Sequence, residues 1–160
     1  MKKLILLILL LWVFTGVTAQ NTKPYNPKAD AAEDIQEAID VAQAENKHIL
    51  LMIGGNWCPW CRKLNGFLEA NNTIDSLLKS DFVMVKVNHS KENKNLNILA
   101  KYDYPQRFGF PVLVVLNAEG KRIHTQNTVY LEEGKGYNAD RIMSFLKAWS
   151  PEALNPENYK

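Results

Sequence analysis

Residues 56–63 read NWCPWCRK and contain both cysteines of the chain, Cys58 and Cys61, with two residues between them. They follow a short apolar run, HILLMI at 48–53, which is bounded by glycines and predicts a strand buried on both faces. Beyond Cys61 the apolar residues recur at helical spacing, so the pair lies where a strand gives way to a helix. Such a pair could take part in thiol–disulfide exchange, bind a metal or form a structural disulfide.

The first cysteine of the pair falls at the N-terminus of the predicted helix. Unpaired backbone N–H groups and the positive end of the helix dipole favour a thiolate there. In C-x-x-C motifs the thiol pKa falls from about 8.5 to roughly 3.5 to 7.5. Pro59 suits the first helical turn, because that turn does not need its N–H. We therefore predict that Cys58 attacks a disulfide and that Cys61, one turn further in, resolves the mixed disulfide.

The two other kinds of chemistry fit the sequence less well. A zinc site would need two further ligands, and the three histidines, His48, His89 and His124, are scattered singly. A structural disulfide that closes so short a loop would add little stability, because loop-closure entropy grows with loop length. Neither a metal nor another cofactor is predicted.

The first residues, MKKLILLILLLWVFTGVTAQ, have the order of a secretory signal peptide: two lysines, an apolar run and then small residues. The apolar run at 4–14 is shorter than the roughly 20 residues that a membrane-spanning helix needs. We therefore predict cleavage after Ala19 rather than a membrane anchor. The mature protein is expected to be exported to the periplasm or the extracellular space and not to span a membrane.

Charge and length limit the remaining classes of function. Cleavage would remove Lys2 and Lys3, so the 19 basic side chains would fall to 17 and equal the 17 acidic ones. Nucleic-acid binding depends on clustered basic charge, so no nucleic-acid partner is predicted. The length fits one domain. The predicted organisation is a signal peptide at 1–19, a polar tether at 20–28, a domain at 29–150 and a C-terminal tail at 151–160.

Hydrophobic periodicity predicts the other elements of this domain. Helices are expected over about 31–45, after Cys61, over a further turn or two capped by Thr73, around 96–100, and before Pro151. Strands are expected at 82–87, 112–116 and 121–125, the last two forming a hairpin across a turn. The alternation indicates an α/β fold with a central mixed sheet, mainly parallel with an antiparallel edge hairpin, flanked by helices.

These features resemble the thioredoxin superfamily, and most closely its secreted bacterial thioredoxin-like branch. The resemblance rests on the segment WCPWC between a strand and a helix, on the strand FVMVKV at 82–87, and on GFPVLVVLNAEGK at 109–121, and it covers about residues 33–149. It implies a thioredoxin fold. It also implies that the Phe110–Pro111 bond is cis and lies against the cysteine pair, where the backbone receives an extended substrate segment. A trans proline that merely starts a strand is the alternative.

Four further residues bear on the resemblance. Lys86 interrupts an apolar strand where the family often has a lysine beneath the active-site helix, so it is either a residue that tunes the thiols or an outward-facing side chain. Trp57 and Trp60 flank the cysteines as candidate substrate contacts, and packing on the helix is the alternative for Trp60. Met52 departs from the family, since typical thioredoxins carry there a buried aspartate that assists the resolving cysteine. Water or another group has to replace it.

The resemblance implies a thiol–disulfide oxidoreductase that acts on protein disulfides or thiols. Reduction is favoured, because the short domain has no inserted subdomain of the kind found in dedicated periplasmic oxidases. A reductase in an oxidising compartment needs electrons from outside, so a membrane redox partner is implied. Oxidase or isomerase action, and a non-catalytic binding module, are the alternatives.

Overall fold

In the computed structural model, which describes residues 23–160, helices and strands alternate as the sequence predicts. The predicted signal peptide, residues 1–19, lies outside the described residues. The helices are α1 (Ala31–Glu45), α2 (Pro59–Ala70), α3 (Asn72–Asp81), α4 (Leu96–Lys101) and α5 (Ala139–Ala148). The strands are β1 (His48–Gly54), β2 (Phe82–Asn88), β3 (Val112–Leu116), β4 (Arg122–Asn127), β5 (Glu132–Glu133) and β6 (Gly136–Tyr137).

The central sheet is mixed, in the order β2-β1-β3-β4. Strands β1 and β2 pair in parallel, whereas β3 runs antiparallel to both β1 and β4. The expectation of a mainly parallel sheet was therefore wrong, although the mixed sheet and its antiparallel edge hairpin are confirmed. The connection from β2 to β3, residues 89–111, is long enough to cross the sheet, but it folds into the short helix α4 and turns at one edge. The chain therefore re-enters the sheet at the edge it left, which alternation of helices and strands does not specify.

That edge positions the functional residues. Gly54 at the end of β1 pairs with Asn88 at the end of β2, and Ile53 pairs with Val112 at the start of β3. Helix α2 begins just beyond β1. The loop that carries the first cysteine therefore lies beside the loops that leave β2 and enter β3.

Two apolar clusters cover the two faces of the sheet, because successive side chains of a strand point to opposite faces. One contains Leu50 and Met52 of β1 packed with α2, α3 and α5. The other contains Ile49, Leu51 and Ile53 packed with α1 and α4. The first cluster includes both cysteines, so the redox pair is part of the core.

Side-chain caps explain where two helices begin. Asp30 Oδ1 accepts hydrogen bonds from the backbone N–H groups of Ala32 and Glu33, and α1 has the predicted bounds. Helix α3 begins earlier than predicted, because Asn71 rather than Thr73 is its N-cap. The extended backbone of Asn71 allows its Oδ1 to accept from the N–H of Ile74 at 3.1 Å.

The two ends of the described chain differ. Tyr25, which lies within the segment expected to be a tether, is only 2% exposed and belongs to the core cluster that contains the cysteines. Residues 151–160 form turns, and Tyr159 there is 76% exposed. Within residues 23–160, no helix combines the length and apolar character that crossing a membrane requires.

Candidate functional site

Cys58 is the N-cap of α2, and its backbone is extended there. Its Sγ accepts a hydrogen bond from the backbone N–H of Cys61 at 3.2 Å, and Pro59 occupies the first turn. The sulfur therefore lies at the positive end of the helix dipole, as the sequence predicts. Both thiols are free in this structure, and the two cysteines lie one helical turn apart.

The Phe110–Pro111 bond is cis, which confirms the prediction. The Cys58 thiol donates a hydrogen bond to the carbonyl oxygen of Phe110 at 3.5 Å. Pro111 is buried, and its own carbonyl accepts from the Thr128 hydroxyl at 2.6 Å. The structure thus brings together two motifs that are about fifty residues apart in the sequence.

Cys61 is completely buried below this edge. A Cβ atom built on Gly54 would lie 2.5 Å from Cys61 Sγ, so glycine at this position leaves room for the sulfur. Burial raises the pKa of the Cys61 thiol far above its usual range, and the hydrogen bond with Cys58 raises it further. The backbone N–H of Gly55 and the Tyr25 side chain act in the opposite direction. At neutral pH the resting Cys61 is therefore a thiol.

Tyr25 is one of the residues at this site that the sequence analysis missed. The Cβ atom built on Gly54 would also lie 2.8 Å from the Tyr25 hydroxyl oxygen, so this oxygen and Cys61 Sγ border the same small space. Asn56 holds the backbone of Tyr25 by two hydrogen bonds, accepting from its N–H at 3.0 Å and donating to its carbonyl at 2.7 Å. The available signal was a large aromatic residue in an otherwise polar segment.

Trp57 forms the exposed side of the site, with 57% of its surface accessible. Its indole Nε1 donates to the backbone carbonyl of His89 at 2.7 Å, and its ring meets that of Phe110 edge to face at 5.7 Å. The His89 ring stacks on Phe110 at 4.8 Å. A side chain on Gly55 would collide with this hydrogen bond, since its Cβ would meet both the indole nitrogen and the His89 carbonyl.

Trp60 is half-buried and packs against other residues. Its ring meets Tyr137 edge to face at 5.6 Å, and the Lys63 ammonium lies 4.4 Å from the ring centroid. The Tyr137 hydroxyl donates to the Trp60 carbonyl at 3.4 Å. The structure therefore supports the packing alternative for Trp60, whereas Trp57 has the more accessible ring.

Lys86 lies on the helix-covered face but does not reach the cysteines. It pairs across the sheet with the buried Met52, and its ammonium contacts the Glu69 carboxylate at 3.2 Å. Glu69 lies near the end of α2 opposite Cys58, and a 12-residue helix is about 18 Å long. The lysine therefore lies beneath the helix, as the resemblance implies, but away from the reactive sulfur.

The described residues contain no group of three or more histidine, cysteine, aspartate or glutamate side chains that could hold a metal ion. The chemistry that this site offers comes from its two sulfurs. A thiolate at Cys58 can attack a disulfide, and Cys61 is placed to attack Cys58 in turn.

Comparison with known proteins agrees with this geometry. A thioredoxin-like family model matches residues 30–118. The chain is 30% identical over 118 residues to the disulfide bond reductase DsbH of Chlamydia pneumoniae, covering 68% of this chain and 69% of the relative. The crystal structure of a disulphide isomerase from Xylella fastidiosa Temecula1 is 30% identical, with a TM-score of 0.69 and coverage of 78% of this chain and 94% of that chain.

A more distant match is part of a larger protein. The chain is 23% identical over 118 residues to the thiol:disulfide interchange protein DsbD of Yersinia pestis, covering 70% of this chain and 18% of that protein. The family model spans more than half of the chain, and the site's geometry agrees with it. The chain therefore belongs to the thioredoxin-like family, a branch of the thioredoxin superfamily that includes thiol–disulfide oxidoreductases.

Proposed function

We propose that the protein is an exported thiol–disulfide oxidoreductase that reduces disulfides in other proteins. Cys58 is the nucleophile, Cys61 is the resolving cysteine, and the backbone at Phe110 and Pro111 receives the substrate segment. One observation carries most of this proposal: Cys58 Sγ lies both at the amino end of α2 and 3.5 Å from the Phe110 carbonyl. A substrate strand lying along Phe110 would present its sulfur to that of Cys58.

The reaction transfers two electrons from the protein to its substrate. The Cys58 thiolate attacks one sulfur of the substrate disulfide, forming a mixed disulfide and releasing the other substrate sulfur as a thiolate that takes up a proton. Cys61 then loses its proton and attacks Cys58 Sγ. The Cys58–Cys61 disulfide forms, and the second substrate sulfur leaves as a thiolate.

The two cysteines are both buried, but they differ in position and polar neighbours in a way that suits this order. Cys58 has a backbone N–H and a carbonyl as polar neighbours at the edge of the sheet. Cys61 is completely buried, and its raised pKa keeps it protonated while the protein waits for substrate. An external disulfide therefore meets Cys58 first, and Cys61 reacts only within the mixed disulfide.

The direction of electron flow is proposed on two grounds. The elements described between residues 23 and 160 include no inserted subdomain of the kind found in dedicated periplasmic oxidases, and the relative from Chlamydia pneumoniae, 30% identical, is named a disulfide bond reductase. Reduction outside the cytoplasm would need a donor that returns two electrons to the Cys58–Cys61 disulfide. We propose a membrane redox partner for this step, in line with the signal-peptide pattern of residues 1–19.

Substitution of each cysteine tests the assigned roles. With dithiothreitol as electron source, the purified protein should reduce a protein disulfide, and Cys58→Ser should abolish this activity. Cys61→Ser is the matched control, because it keeps the nucleophile and removes only the resolving sulfur. It should accumulate a mixed disulfide on Cys58, visible by electrophoresis without reductant. Activity that survives in Cys58→Ser would contradict the assignment of the nucleophile.

Isomerase action is the second candidate, because the solved structure with a TM-score of 0.69 is described as a disulphide isomerase. An isomerase rearranges disulfides without net electron transfer, so it should restore the native pairing of a scrambled protein when supplied in reduced form. A reductase should instead leave that protein with free thiols. Expression of Cys61→Ser in the native host would also identify the substrates that are trapped on Cys58.

A further inference from the structure

The Tyr25 hydroxyl lies beside the resolving cysteine, and it has no other hydrogen-bond partner within residues 23–160. Its side chain is 2% exposed, and its hydroxyl is buried without a hydrogen-bond partner of standard geometry among the described residues. A buried hydroxyl normally has a partner, since leaving one unsatisfied costs free energy. The space next to it contains Cys61 Sγ, across the position where Gly54 lacks a side chain.

The charge state of Cys61 decides whether this hydroxyl has an acceptor. A neutral thiol is a weak acceptor, whereas a thiolate accepts strongly. The hydroxyl is therefore unsatisfied while Cys61 is protonated and becomes satisfied when the thiolate forms. An interaction that is made only as the reactive species forms accelerates the step that needs it.

The Tyr25 backbone is fixed to the same loop as the cysteines. Asn56, two residues before Cys58, exchanges two hydrogen bonds with the main chain of Tyr25. This clamp holds the ring in the core although the residue lies near the start of the described chain. Met52, at the position where the resemblance implies an aspartate, is apolar and completely buried, so it offers no polar group to Cys61.

We infer that the Tyr25 hydroxyl donates a hydrogen bond to the Cys61 thiolate as it forms, and so acts in the resolving step of the proposed reaction. Tyr25 is then a catalytic residue, because it contacts a reacting sulfur. The inference rests on the proposed roles of Cys58 and Cys61, and it supplies the group that replaces the missing acid at Met52.

The ionisable surroundings agree with a donor that keeps its proton. Burial raises the pKa of Tyr25 well above its usual value, and the neighbouring Cys61, Cys58 and Tyr137 raise it further. In return the Tyr25 side chain lowers the pKa of Cys61, against the larger effect of burial. Cys58 and Tyr137 are the other titratable groups whose charges act on this pair.

Release of a coloured thiolate separates the two chemical steps. An aromatic disulfide reacts with reduced protein by forming a mixed disulfide on Cys58, which releases the first coloured thiolate. Attack of Cys61 on Cys58 releases the second. In Tyr25→Phe the first phase should be unchanged within about twofold, and the second should be about tenfold slower, because a hydrogen bond to a charged group is lost. The pH midpoint of the second phase should rise by about one unit.

Tyr102→Phe is the matched control. Tyr102 also has a buried hydroxyl for which the described part of the chain offers no partner, but it lies in the core cluster on the opposite face of the sheet. Its substitution should leave both phases and both pH profiles unchanged. Neither variant should lose thermal stability, since each removes a hydroxyl that has no partner.

An equilibrium measurement gives a second readout of the same contact. In a Cys58→Ala background, the carbon NMR chemical shift of the isotopically labelled cysteine Cβ reports the titration of Cys61 alone. Adding Tyr25→Phe should raise that pKa, and adding Tyr102→Phe should not. An unchanged pKa together with an unchanged second phase would overturn the inference, as would equal slowing of both phases. If the unchanged protein released only one coloured thiolate, Cys61 would not be the resolving cysteine, and the proposed function would fail with the inference.

Discussion

The site has an exposed side, here called the rim, and a buried side, here called the back, and the two differ in how the polar groups of their aromatic residues are hydrogen-bonded. The rim consists of Trp57, His89 and Phe110, whose rings contact one another and whose one indole N–H has a backbone acceptor. The back consists of Tyr25 and Cys61, which border the space left by Gly54. The indole N–H of the rim has its acceptor, whereas the Tyr25 hydroxyl has no hydrogen-bond partner of standard geometry among residues 23–160.

This difference suggests a division of roles, in which the rim contacts the substrate and the back takes part in the chemical step. Rim residues are partly solvated, so a change there alters the surface that a substrate meets and costs little stability. Residues of the back are packed at core density, so even one added methyl group has to displace its neighbours. Four substitutions or conditions test this division, beginning with the largest expected effect.

Substitution of Gly54 by alanine tests how tightly the back is packed. The added Cβ would lie 2.5 Å from Cys61 Sγ and 2.8 Å from the Tyr25 hydroxyl oxygen, so both must move. We expect the free energy of unfolding, measured by urea denaturation, to fall by about 2 to 3 kcal/mol. Gly66→Ala in α2 is the control, because a Cβ there meets nothing within 4 Å. It should raise stability by about 0.5 to 1 kcal/mol, and equal behaviour of the two variants would show that the back is not tightly packed.

Alkaline pH tests the burial of Cys61 in the reduced protein. Its pKa is raised in the folded state, so the unfolded chain loses this proton at a lower pH than the folded chain. The stabilising contribution is complete below the unfolded thiol pKa of about 8.5 and is lost as pH rises above it. The free energy of unfolding should fall by about 1.4 kcal/mol per pH unit over that range. Cys61→Ala should lack this component between about pH 8.5 and 10, and the same slope in that variant would assign the effect to other groups.

Trp57→Ala tests whether the rim serves recognition alone. Removal of an indole that is 57% exposed should raise the KM for a protein disulfide severalfold and change stability by less than about 1 kcal/mol. The rate with a small aromatic disulfide should not change, because the back is intact. Tyr159→Ala, an exposed aromatic in the C-terminal tail, is the control and should leave KM unaltered. A large loss of rate with the small disulfide would show that the rim also takes part in the chemical steps and does not serve recognition alone.

Lys86→Gln should have the smallest effect. The ion pair with Glu69 is partly exposed, at 30% and 51% of the two side chains, so its loss should cost less than about 1 kcal/mol. The rate of the Cys58 thiol with a small disulfide should stay the same, because the ammonium lies near the other end of α2. A rate change beyond about threefold would mean that its charge acts on the thiols over that distance.

Local patterns predicted most of the elements. The capped amphipathic segment at 31–45 and the apolar strand at 112–116 have the observed bounds, because neighbouring residues decide helix and strand periodicity. Strand direction was harder to predict, because alternation of elements does not reveal that the chain between β2 and β3 turns back at the edge it left instead of crossing the sheet. The cap of α3 was misplaced by two residues, since Asn71 and Thr73 can both serve as caps and only the backbone conformation selects one.

The candidate site divides in the same way. The cysteine pair and its place at the start of a helix followed from the residues themselves, and the cis Phe110–Pro111 bond from the resemblance to the thioredoxin superfamily. Tyr25 did not, because no short pattern links a tyrosine in a polar segment to a cysteine 36 residues later. The distance from Lys86 to the thiols could not be predicted from the sequence either, since it depends on which turn of α2 lies above the lysine.

The sequence alone therefore predicted a cysteine pair between a strand and a helix, and a strand at 112–116 that Pro111 precedes. These features depend on neighbouring residues and on a resemblance that short motifs carry. Only the tertiary structure decided that Tyr25 and Gly54 border Cys61, and that the carbonyl oxygen of Phe110 is the atom that lies 3.5 Å from Cys58 Sγ. The physical reason is that such contacts arise where the ends of β1 and β2, the start of β3 and the N-terminal segment pack at one edge of the sheet.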